Sequence, residues 1–86
     1  MKIKELKKKL KSELRDSSYR IYHPWELLKL NYINRLEVSN YEMIYKLFEN
    51  GDEWKVIFEE RGNQINSKSF LTEDDACVYF EKIFIK

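Results

Sequence analysis

Three runs of alternating side chains, separated by turns at the chain's only two glycines, occupy the middle of this sequence. Tyr41, Met43, Tyr45 and Leu47 alternate with Glu42, Ile44, Lys46 and Phe48. Trp54, Val56 and Phe58 then alternate with Lys55, Ile57 and Glu59. A period of two marks extended strands, because successive side chains leave opposite faces of the pleat. Asn50-Gly51, with Asp52, supplies the first turn, and Arg61-Gly62-Asn63 the second. Gly62 stands where such a turn needs a positive φ. Residues 65–70 form a third, more polar run, expected at the sheet edge.

The period changes at both ends of the chain. Ile3, Leu6, Leu10 and Leu14 recur at spacings of three and four, which predicts an amphipathic helix over residues 2–15. Lysines cover its other faces, and Asp16-Ser17-Ser18 ends it. Near the C-terminus, Thr72 is a good N-cap, with Asp75 three residues on. Glu73, Asp74 and Asp75 suit the positive end of that helix dipole. Ala76, Tyr79, Phe80, Ile83 and Phe84 form its apolar face. Between the first helix and the strands the pattern is weaker. Residues 19–22 read as a short strand or an extended link. His23-Pro24 calls for extended backbone before a short helix over residues 25–30. Over residues 31–40, Ile33, Leu36 and Val38 allow a weak strand.

These elements predict an α+β fold: a three- to four-stranded antiparallel meander with the N- and C-terminal helices packed on one face. The 86 residues make a single domain, with no room for a second. Both parities of the first long run are apolar, so Ile44, Phe48 and Ile57 are expected to form a patch on the face away from the helices. The predicted helix at residues 25–30, or a partner, would cover it.

Charge is unevenly spread. Residues 1–40 carry 10 Lys/Arg against 5 Asp/Glu, a balance of +5, and residues 41–86 carry 6 against 10, a balance of −4. The second half therefore offers an acidic surface to a basic partner. Lys7-Lys8-Lys9 and Lys11 support a different reading, a small nucleic-acid-associated regulator. The overall charge of +1 argues against strong phosphate binding.

Reactive chemistry is scarce. His23 and Cys77 are the single histidine and the single cysteine. Nothing in their spacing joins them as base and nucleophile, and they cannot make a zinc site. Asn50 to Glu53 lacks the ligand spacing of a calcium loop. No catalytic residue, metal site or cofactor is expected. A lone thiol suits a reducing compartment, and no apolar run reaches the roughly 20 residues that cross a bilayer. A cytoplasmic protein is expected.

One stretch carries a family likeness. Trp54, Glu60-Arg61-Gly62, Phe70, Thr72 with Glu73-Asp74, Ala76-Cys77 and Tyr79-Phe80 together resemble small bacterial immunity proteins. These are encoded beside polymorphic or contact-dependent growth inhibition toxins. The resemblance implies a non-enzymatic inhibitor that binds a cognate toxin domain. A nuclease toxin would present a basic cleft, which Glu42, Glu49, Asp52, Glu53, Glu59 and Glu60 would meet as phosphate mimics. Trp25, beside Pro24, is a further candidate contact, as a large anchor. Arg61 is expected to pair with Glu59, Glu60 or an acidic helix end.

Overall fold

The computed structural model describes residues 1–22 and 35–85. Helix α1 spans Ile3–Glu13 and helix α2 spans Glu73–Phe84. Five strands lie between them: β1 (Arg20–Tyr22), β2 (Arg35–Ser39), β3 (Met43–Asn50), β4 (Glu53–Glu60) and β5 (Asn63–Phe70). Among the described residues they form one sheet in the order β1-β2-β3-β4-β5, every pair antiparallel. This is the expected α+β meander with one strand more. The helix expected at residues 25–30, with His23, Trp25 and Ile33, lies outside the described residues.

Register explains which face is buried. Val38 sits opposite Tyr45, Tyr45 opposite Phe58, Leu36 opposite Leu47, and Leu47 opposite Val56. All six therefore share one face, and both helices pack on it. Leu36, Val38, Leu47 and Val56 lose all solvent contact there, together with Leu6, Leu10, Ala76, Cys77 and Phe80. Each fully buried Leu or Val contributes about 1.5–3 kcal/mol of hydrophobic stabilisation. Residues 31–40 thus contain more than a weak strand. β2 is an interior strand whose two apolar side chains sit in the core. Its short alternation, Arg-Leu-Glu-Val-Ser, gives too few repeats to stand out by period alone.

The helices divide the sheet between them. α1 lies over β1 and β2, and α2 over β3, β4 and β5. A chain of edge-to-face rings seals one flank: Tyr45 meets Tyr19, Phe58 and Phe84, and Phe80 meets Phe84 at 5.3 Å. Such pairs add roughly 0.5–1.5 kcal/mol each beyond burial.

Local rules set the element ends. Thr72 Oγ1 accepts the Asp75 N–H at 3.1 Å, the predicted cap of α2. Lys2 offers no side-chain cap to α1. Instead Glu73, from the start of α2, accepts the Ile3 N–H at 2.9 Å. The two helices run parallel with their N-termini together, so like dipole ends adjoin. The first-turn acids of α2 offset that repulsion for both helices.

Candidate functional site

The six carboxylates singled out in the sequence do not gather into one surface. All lie on or beside β3 and β4, which are interior strands, and they fall into three groups. Glu49, Asp52 and Glu53 cluster at the β3–β4 turn. Glu42 and Glu60 stand at the other end of the sheet, roughly 24 Å away along β3 at its usual rise per residue. Glu59 is next to Glu60 at that same end but on the face away from the helices, where it accepts a hydrogen bond from Lys46 Nζ at 3.0 Å. Trp25 is outside the described residues.

Each turn owes its shape to its glycine. The β3–β4 turn is two residues long, with Gly51 at φ +66° in its first position, the geometry that matches the twist of the flanking strands. It leaves Asp52 and Glu53 exposed at the tip, with no ion pair to any described residue. The β4–β5 turn places both Arg61 (φ 51°) and Gly62 (φ 85°) in left-handed backbone. Gly62 adopts this freely, whereas Arg61 is strained there. Arg61 donates its backbone N–H to the Glu42 carbonyl at 3.1 Å, and its guanidinium lies 3.5 Å from the Glu42 carboxylate. Its partner is thus Glu42 and not Glu59, Glu60 or a helix end. The β4–β5 turn folds toward the β2–β3 turn, a proximity that sequence distance hides.

The β2–β3 turn also departs from expectation. Tyr41 and Glu42 were expected to open the strand, yet the strand opens at Met43. Asn40 Oδ1 accepts from the N–H groups of Glu42 and Met43 at 2.9 and 2.8 Å, closing a side-chain-built turn. Tyr41 is left at its tip, 93% exposed. The signal for this was Asn40 itself, a turn former placed directly before the alternating run.

The face away from the helices is a mixed surface. Ile44, Phe48 and Ile57 share it and are each half-buried. Charged groups interrupt them. Lys46 lies between Ile44 and Phe48 and directly opposite Ile57. The Arg35 guanidinium sits 5.5 Å from the centre of the Phe48 ring while bonding Glu37 at 3.0 Å. The expected apolar patch is therefore broken up by charge.

Part of the charge asymmetry is used inside the molecule. Lys2 approaches Glu73 at 3.4 Å, Lys9 bonds Glu81 at 2.9 Å, and the Met1 ammonium meets Asp74. The basic helix and the acidic helix are ion-paired along their shared seam. Of the lysines that suggested a phosphate-binding helix, Lys9 is committed there.

Cys77 is fully buried, and burial, reinforced by Glu73, pushes its thiol up to about 12. It supplies no thiolate near neutral pH. His23 is outside the described residues. Among the described residues no cluster of His, Cys, Asp or Glu could hold a metal ion. No helix among them is long and apolar enough to cross a membrane.

Compared with family models, with curated proteins and with solved structures, the chain has no match.

Proposed function

We propose that this chain is an immunity protein, acting in the cytoplasm, that neutralises a cognate bacterial toxin domain by occupying its active site or an essential surface. Inhibition is by binding and involves no turnover. The observation that carries this reading is the β3–β4 hairpin. Its two strands stay in register over eight consecutive pairs, from Met43–Glu60 to Asn50–Glu53. A hairpin so supported holds Glu49, Asp52 and Glu53 on a preorganised tip. A preorganised contact loses little conformational freedom on binding. Its negative charge complements the basic cleft of a nuclease and speeds encounter. The family resemblance adds the partner class. Most of the residues that carry it serve the fold, as Trp54, Ala76, Cys77 and Phe80 do in the core.

The test is co-expression with the product of the neighbouring gene, followed by pull-down and a growth-protection assay. A stoichiometric complex is expected. Reversing Asp52 and Glu53 to lysine should slow association, most at low salt where charge repulsion is unscreened. Glu59 is unsuitable for this test, because its reversal also breaks the Lys46 pair. Absence of any complex, or protection that requires only trace amounts of the protein, overturns the reading.

A further inference from the structure

At the end of the sheet away from the Gly51 turn, the β2–β3 turn and the approach to β1 enclose a recess of about 350 Å³. Ser18, Arg20, Ser39, Asn40 and Tyr41 line it. Arg20 is the one charged side chain in this wall. It lies opposite Ser39 in the ladder, is exposed, and forms no ion pair with any described residue. Ser18, Ser39 and Tyr41 add hydroxyls. Asn40 Oδ1 is already engaged by two backbone amides, which leaves the Asn40 side-chain NH₂ as a donor. A guanidinium ringed by neutral donors is the chemistry that binds a carboxylate, through charge-assisted and bidentate hydrogen bonds.

The surroundings are braced. Asn40 closes the turn that carries Tyr41, with the Asn40 N–H also bonding the Met43 carbonyl at 3.0 Å. Arg61, held in left-handed backbone, ties the neighbouring turn to Glu42. Backbone strain of this kind collects at functional sites. An aromatic ring 93% exposed on a rigid turn, beside an unpaired arginine, has the composition of a binding hot spot.

We propose that this end of the sheet docks a protein partner, seating one carboxylate of that partner on Arg20 and an apolar side chain against Tyr41. Local charge selects a single acid over a polyanion. Glu42 balances Arg61, and Glu60 is also at this end, so Arg20 is the one uncompensated cation of these groups. A nucleic acid brings a phosphate at every nucleotide and meets Glu42 and Glu60. The assignment goes beyond the toxin reading, since it concerns the opposite end of the sheet.

The full chain, labelled with ¹⁵N, is titrated with N-acetylglutamate methylamide, with its glutamine counterpart and with a short thymidine oligonucleotide. Saturable shifts are expected at the Arg20 Nε–H and at the Ser39 and Tyr41 amides with the glutamate compound alone. Arg20→Gln should abolish them without lowering the melting temperature, because Arg20 is exposed. Equal shifts with the glutamine compound, shifts confined to the lysines of α1, or the same shifts with the oligonucleotide overturn the proposal. Where the neighbouring gene's product is captured, Arg20→Gln and Tyr41→Ala should each weaken the complex about tenfold. Parent-like affinity in both variants removes the docking surface and leaves the toxin reading standing. Failure of capture removes the toxin reading, and the titration alone then decides the surface.

Discussion

Arg61 is the most strained residue of the described backbone, the only one other than glycine with positive φ there. Left-handed backbone costs an L-residue roughly 1–2 kcal/mol, and asparagine tolerates it best among the others. Arg61→Asn also creates the preferred Asn-Gly pair for a turn of this type. It keeps the backbone bond to Glu42 and loses only an exposed, long ion pair. We expect a gain of about 0.5–1 kcal/mol, a rise of a few degrees in melting temperature. A fall would mean that the Glu42–Arg61 pair contributes more than exposed pairs usually do. Cys77 makes the second prediction at this scale. Its folded-state pKa is raised, mainly by burial, from the ordinary 9.0 to about 12, so the native state holds its proton longer than the unfolded state. The resulting stability is fully present below pH 9 and is lost as pH rises toward 12. Denaturant midpoints across that window should fall more steeply for the parent than for Cys77→Ala. Parallel curves would show that the thiol reaches water.

At the scale of elements, the parallel helices are the feature with the clearest energetic consequence. Glu73 caps its own helix dipole, accepts the Ile3 N–H of α1, and approaches Lys2. Asp75 makes neither contact with α1, though its backbone N–H serves the Thr72 cap. Glu73→Ala should therefore cost about 1 kcal/mol, the usual loss for a helix cap. Asp75→Ala should cost no more than a few tenths of that unit, a dipole effect. Urea midpoints of the two variants measure the difference, and equal midpoints would remove Glu73 from its capping role. The lysine partners along the seam are exposed while Glu73 and Glu81 are half-buried, so each pair is still open to solvent on its cationic side and adds little by itself. Their effect is on orientation: a basic stripe and an acidic first turn favour the parallel seating over alternatives of similar burial.

For the whole molecule, the packing argues for a single cooperative transition. On the one covered face of the sheet α1 lies over β1 and β2 and α2 over β3 to β5, and the buried side chains of both belong to one core with Leu36, Leu47 and Val56. Neither helix can leave without opening that core. Unfolding followed by far-ultraviolet circular dichroism and by Trp54 fluorescence, in a Trp25→Phe background, should give coincident curves. Separate transitions would mean that the β1–β2 side opens alone.

The sequence by itself determined the parts governed by local rules. Period-two alternation defined β3 and β4 and the parity that buries Val56. Period 3.6 defined α1 and α2. Gly51 and Gly62 marked both long hairpin turns, and Thr72 the cap of α2. Each of these depends on residues within a few positions of one another, where side-chain geometry and backbone preference act directly. Only the tertiary structure decided that β2 is an interior strand, because the burial of Leu36 and Val38 comes from neighbours distant in the chain. It separated the acidic residues into three places, since an antiparallel ladder sends the two ends of each hairpin strand to opposite ends of the sheet. It joined Arg61 to Glu42, and Glu73 to the start of α1, across gaps in sequence that no period encodes. It also brought Ser18, Arg20 and the Asn40–Tyr41 turn around one recess. Alternation reports which face a side chain occupies. Pairing register and the closing of turns set which side chains meet.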